Sequence, residues 1–221
     1  MTNNTSGTPD TLLPLSVRTE RGQGGEVFPR RVLDLLVATF GLVVFSPVLA
    51  VIALLIKLES PGPVLFKQTR VGKDEKPFQV YKFRSMTVEA AEEQRVDTAI
   101  ADIGAFQFTP RGRRTVIGRA SRACSLDEMA NLLNVIRGEM HIVGPRPDEP
   151  EIVAQYRPEW RRRHTVRPGI TGLAQIHGRA DLTYAETMRY DLQYVDNRSL
   201  AGDIRIILAT LRVVVRREGA R

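Results

Sequence analysis

The apolar positions fall into one long uncharged run near the start of the chain and several shorter periodic ones after it. Leu35 to Ile56 is 22 residues without a charge, enough helix to cross a bilayer core of roughly 30 Å. Ser46 and Pro47 sit at its middle. A proline there removes a backbone donor and clashes with the carbonyl four residues earlier, so a bend is expected, and the Ser46 hydroxyl can bond locally to soften it. Arg18, Arg21, Arg30 and Arg31 precede the run while Lys57, Lys67, Arg70 and Lys73 follow it, so neither end has the charge pattern of a translocated flank. A bent hairpin with both ends in the cytosol and a simple spanning helix both fit. The long polar stretch ahead of the run argues against a cleavable signal.

Past Lys57 the pattern becomes that of a folded domain. "PGPVLFKQTRVG" and "KPFQVYKFRSM" alternate apolar with polar residues and predict two short strands joined by a polar turn at residues 72–76. In the second strand Lys82 and Arg84 share a face, either solvated or meeting phosphate oxygens. Residues 88–112 begin as a polar helix, "VEAAEEQ", and then give no assignable pattern. Leu126, Met129, Leu132, Leu133 and Ile136 recur at helical spacing; Ser125 and Glu128 form a candidate capping box, and Gly138 a stop. Asp203 is a candidate cap for a last helix, apolar from Ile204 to Val215 and basic at its end, which suits a core or an interfacial position. The predicted organisation is a polar tail (1–28), the membrane segment (29–58), a small domain of helices and short strands (59–217) and a four-residue tail.

Composition adds a sign. A net charge of +7 over 221 residues calls for an anionic partner: nucleic acid, a phosphorylated metabolite or an acidic membrane. Little aromatic interleaving accompanies the basic runs, so nucleic acid is not expected. The single cysteine, Cys124, excludes an internal disulfide and a multi-cysteine zinc site. The chemistry-bearing feature is the adjacent pair Asp127 and Glu128 at a helix start. Arg113, Arg114, Arg119 and Arg122 precede it, and Arg146 follows in "GPRP", on a loop stiffened by two prolines. Capping alone accounts for the two carboxylates; so does phosphate chemistry. The run Arg161 to Arg163 reads as a solvated or lipid-facing stripe.

The broken helix at Ser46 and Pro47, followed in order by "RVGKDEKPFQVYKFRSM", "SLDE", "NVIRGEMHIVGPRP", "VRPGITGLAQIHGR" and "NRSLAGDI", resembles the bacterial sugar transferases, the monotopic phosphoglycosyl transferases. The resemblance covers residues 29 to 217 and implies an α+β monotopic membrane protein whose broken helix is a re-entrant hairpin. It implies transfer of a phosphosugar from a UDP-sugar to a polyprenyl phosphate such as undecaprenyl phosphate, with release of UMP at the cytosolic face of the bacterial inner membrane. The step would open a glycan, exopolysaccharide or lipopolysaccharide pathway. Carried over residue by residue, it makes Asp127 the nucleophile and a magnesium ligand, Glu128 its dyad partner, and Arg122, Arg146 and Lys82 phosphate contacts; Arg84 joins them as a second cation of the strand. Mg2+ is the implied cofactor, with membrane lipids as further partners, and a homo-oligomer is left open. The sequence departs from the family pattern right after the dyad, where Ala130 and Asn131 replace the usual proline and glutamine. This puts the geometry around the dyad in question more than the chemistry. The competing expectation is a membrane-anchored basic module that binds polyanions without catalysis; a third has the carboxylates bind metal only.

Overall fold

The computed structural model describes residues 27–84, 103–104, 117–118, 126–178 and 181–216; of Val27, Asp127, Val214, Val215 and Arg216 it describes the backbone alone. The tails, most of segment 88–112, Arg113, Arg114, Arg119, Arg122, Cys124 and Ser125 lie outside the described residues. Helix α1 (Val27–Glu59) carries Pro47 within it. Strands β1 (Leu65–Val71) and β2 (Pro77–Phe83) form an antiparallel hairpin, in register from Leu65 against Phe83 to Val71 against Pro77. Asp74 and Glu75 supply the left-handed backbone of the turn. A 3-10 segment, Leu126–Asn131, runs into α2 (Leu132–Arg137). Gly138 ends α2 at φ 79°, a conformation that costs glycine nothing.

Beyond α2 come β3 (His141–Val143), α3 (Pro150–Val153), a 3-10 segment (Pro158–Thr165), β4 (Gly169–Thr171), α4 (Leu173–Ile176), α5 (Tyr184–Asn197) and α6 (Leu200–Arg216). β3 and β4 pair in parallel, His141 opposite Gly169 and Val143 opposite Thr171. Gly169 is obligatory there, because a Cβ would stand 2.0 Å from the Gly144 nitrogen. Helix α5, whose start is set by a Thr183–Glu186 capping box, is an element that the sequence pattern left unassigned. Helix α6 starts earlier than expected: the Ser199 hydroxyl accepts from the Gly202 N–H, and Asp203 turns inward to Arg30 and the Tyr194 hydroxyl rather than capping.

Helix α1 packs against the domain at both ends and stands clear of it in the middle. Near its start Asp34 bonds His141 Nδ1 (2.5 Å) and the Ile142 N–H (2.8 Å), while Arg30 pairs with Asp203. Arg31 donates to the Val135 and Ile136 carbonyls, the open C-terminal end of α2. Ala38 enters the main core with Leu132, Val135, Met140 and Ile206. Near its end Ile52 and Ile56 pack with Phe83 and Ala130. At helical spacing Phe45 and Val48 belong to the same face, yet both are exposed, 39% and 43%. Outward-facing Phe40, Val43, Leu54 and Leu58 are also exposed, and of the most apolar stretch only 17% is buried. An apolar helix turned outward in this way is built to associate with a membrane. The expected break leaves one helical element rather than two; in it the Ser46 hydroxyl donates to the Val43 carbonyl at 2.8 Å.

Candidate functional site

A 3-10 helix has three residues per turn, so positions three apart eclipse one another. In Leu126–Asn131 this sets Glu128 and Asn131 on one side, and Asn134 follows one turn later, so that the three form a polar row. Each member has its own surroundings. Glu128 receives both terminal nitrogens of Arg146 in a fork, one of them at 3.1 Å. Asn134 is fully buried and satisfied: its amide donates to the Gln79 carbonyl (2.6 Å) and to Glu139 (2.7 Å), and its Oδ1 accepts from the Tyr81 N–H (3.2 Å). It thereby fixes β2 against α2. Asn131 occupies the cap position of α2 without making a cap bond. It is 4% exposed, and its Oδ1 has no partner among the described residues.

The loop carrying Arg146 is held by its backbone. Four successive carbonyls accept hydrogen bonds: Pro145 from the Gly169 N–H, Arg146 from the Arg163 guanidinium, Pro147 from Arg70 (3.2 Å) and Asp148 from the Val71 N–H. With every carbonyl committed, the loop presents its arginine side chain from a fixed base. Behind it lies a buried charged cluster. Arg163 pairs with Asp148 and approaches Asp191 to 2.6 Å; Asp148 also accepts from the Tyr156 hydroxyl (2.5 Å) and from that of Tyr184. Burial pushes both carboxyls up. For Asp148 the Arg163 charge and the tyrosine hydroxyls outweigh burial and hold it below the usual carboxylate value. Asp191 lacks those hydroxyls and ends up at about 7, even with Arg163 pulling it down.

Arg146, Lys82, Arg70 and Asn131 converge on one cavity of about 10 Å3, whose wall also includes Pro147 and Gly169. Such a space admits a single oxygen-sized group. Among the sequence-predicted residues, then, Glu128, Arg146 and Lys82 meet at one place. The Asp127 backbone stands beside them in the same turn; its side chain and Arg122 lie outside the description. Arg84 is corrected. It is 5% exposed, and its guanidinium is spent on the carbonyls of Ile56, Ser60 and Pro61. Lying just past the end of β2, it reaches over the end of α1 and ties that helix down. The stripe reading of Arg161 to Arg163 holds for the first two, which make exposed pairs with Glu75 and Asp196; Arg163 is inside. Sequence reasoning missed Arg70 and Arg163 as supports of the loop. Each sits among other basic residues, and nothing local marks which one turns inward. No cluster of three His, Cys, Asp or Glu side chains suited to holding a metal occurs among the described residues.

The family model for bacterial sugar transferases matches residues 25–217. A UDP-N-acetylgalactosamine-undecaprenyl-phosphate N-acetylgalactosaminephosphotransferase of Aeromonas hydrophila is 40% identical over 203 residues, covering 88% of this chain and 45% of that protein. A UDP-glucose:undecaprenyl-phosphate glucose-1-phosphate transferase of Caulobacter vibrioides is 43% identical over 190 residues, 82% of this chain and 68% of the relative. An exopolysaccharide production protein of Rhizobium leguminosarum bv. phaseoli is 40% identical over 195 residues, 82% and 92%. The chain thus spans less than half of the Aeromonas relative and most of the Rhizobium one.

Proposed function

Because the chain belongs to the bacterial sugar transferase family, we propose that it moves a phosphosugar from a UDP-sugar to undecaprenyl phosphate, with Asp127 as the attacking group. The observation that carries this reading is the fork between Glu128 and Arg146 beside a cavity walled by Lys82 and Arg70, one residue along the chain from Asp127. The relatives' names supply the reactants.

The difficulty of this reaction is the approach of anions, since a carboxylate must reach a phosphorus already surrounded by negative oxygens. Lys82 and Arg146 place cations where the diphosphate arrives. Glu128 holds the Arg146 fork in orientation, and the four committed carbonyls hold the loop. An Asp127 oxygen bonds to the sugar-bearing phosphorus while the bond to the bridging oxygen breaks, and that electron pair leaves with UMP. An oxygen of undecaprenyl phosphate then displaces the aspartate, giving the lipid diphosphosugar and returning the carboxylate. Holding the phosphosugar on the protein lets one small site serve a soluble donor and a lipid acceptor in turn. Magnesium commonly uses one or two carboxylates together with substrate phosphates rather than an all-protein cage, which fits a site with adjacent Asp127 and Glu128 and no larger acidic cluster among the described residues. There it would neutralise diphosphate charge.

The membrane segment, on this reading, is re-entrant. The support is the way α1 binds the domain through Arg30, Arg31 and Asp34 at one end and Ile52 and Ile56 at the other, leaving Val43 to Val48 exposed around Ser46 and Pro47. Both ends remain on one side, the cytosolic face of the inner membrane, and the site stays at the lipid surface. The test uses full-length protein in lipid nanodiscs. Mixed with UDP-sugar alone, it should gain the mass of one phosphosugar; with undecaprenyl phosphate added, it should release UMP; Asp127→Asn should do neither. Normal turnover by Asp127→Asn would refute the covalent step, and turnover without the mass gain would leave the carboxylates a metal-binding role only.

A further inference from the structure

The polar row Glu128, Asn131, Asn134 contains one member without a counterpart. Glu128 and Asn134 have named partners. Asn131 is as buried as a core residue, makes no cap bond although it stands at the cap position, and keeps an Oδ1 without a partner among the described residues. Left so, a buried carbonyl oxygen costs the fold more than an apolar side chain of similar shape would. Asn131 stands in the wall of the cation-lined cavity.

We propose that Asn131 binds the transferred sugar, its Oδ1 accepting a hydrogen bond from the donor group at C2, a hydroxyl or an amide N–H. The assignment rests on the function proposed above and follows from complementarity. Arg70, Lys82 and Arg146 suit phosphate oxygens, which carry no hydrogen to donate, so Oδ1 cannot face them. Asn131 shares a side of the 3-10 segment with Glu128 and a cavity wall with Arg146, the arginine that Glu128 holds, so it stands beside the diphosphate in the reaction proposed above. The donor nearest the reacting phosphorus on a glycosyl phosphate is the C2 substituent, one carbon from the anomeric centre; the uracil N–H lies beyond the second phosphate and the ribose.

The test compares kcat/KM, from UMP release in nanodiscs with undecaprenyl phosphate, for the UDP-hexose that turns over fastest and for its 2-deoxy counterpart. Wild type should prefer the substituted sugar by about tenfold to a hundredfold, the loss expected when one buried neutral acceptor goes unmatched. Asn131→Ala should lower kcat/KM for the substituted sugar by a similar factor and leave the 2-deoxy substrate nearly unchanged, so that the two converge. Asn131→Gln, which keeps the carboxamide, should restore part of the preference. Equal losses on both substrates would overturn the assignment, since a carboxamide that only packs or holds a structural water has that signature. So would a wild type indifferent to C2. Absence of UMP release by wild type from any UDP-sugar would remove the function and this assignment together, whereas turnover with unchanged discrimination removes the assignment alone.

Discussion

Arg162 and Arg163 are neighbours in one basic run, and the structure demands opposite outcomes from their removal. Arg163 has 2% of its side chain exposed, between Asp148 and Asp191, and it donates to the Arg146 carbonyl. Replacing it by methionine keeps much of the volume but takes the cation from the partly exposed Asp148 and the buried Asp191 and frees the loop carbonyl. Deleting one partner of a buried ion pair costs about 3–5 kcal/mol. At about 2–4 °C per kcal/mol for a domain of this size, Arg163→Met should lower the midpoint of thermal unfolding by roughly 6–20 °C. Arg162 pairs with Asp196 in the open, the two side chains 57% and 48% exposed. A pair of that kind is worth under about 1 kcal/mol, so Arg162→Ala should shift the midpoint by a few degrees at most. Scanning fluorimetry of the detergent-purified proteins reads both. If stranded charge is the cause, adding Asp148→Asn to Arg163→Met should recover part of the loss, since Asp148 is the carboxyl that Arg163 helps keep ionised. Equal midpoints for the two single variants, or no recovery in the double, would refute the reasoning.

Asp191, raised to about 7 by burial, keeps a proton in the folded state that the unfolded chain gives up near the ordinary carboxyl value. Its contribution to stability is therefore full below that value and lost as pH rises through about 7; unfolding midpoints between pH 5 and 8 should show this slope, and Asp191→Asn should flatten it. Arg84→Ala should lower the midpoint through loss of the clamp on the Ile56, Ser60 and Pro61 carbonyls, about 2–3 kcal/mol for charged hydrogen bonds, without raising KM for the UDP-sugar; a selective rise in KM would return Arg84 to the phosphate-binding set.

Much of this protein was decided locally and is readable as such. The uncharged run up to Ile56 requires a long apolar helix, the alternation on either side of residues 72–76 requires a hairpin, and Gly138 stops α2 because a glycine there takes φ 79° freely. Asp127 and Glu128 stood out through the ordered motifs that resemble the sugar transferases; adjacent carboxylates at a helix start are by themselves a capping pattern, and Asp148 and Glu149 repeat it ahead of α3. What only the tertiary structure decided depends on contacts between residues far apart in sequence. The β3–β4 pairing joins residues 28 apart, and it sets Gly169 against Gly144 so that the Arg146 loop is held. Which arginine is buried is decided in the same way. Arg161, Arg162 and Arg163 are chemically alike, and so are Lys82 and Arg84, but only Arg163 meets carboxylates brought from residues 148 and 191, and only Arg84 reaches the end of α1. Side-chain chemistry lists the partners a residue can take; burial leaves it the one within reach, because an ion in a dry interior must be paired where it stands.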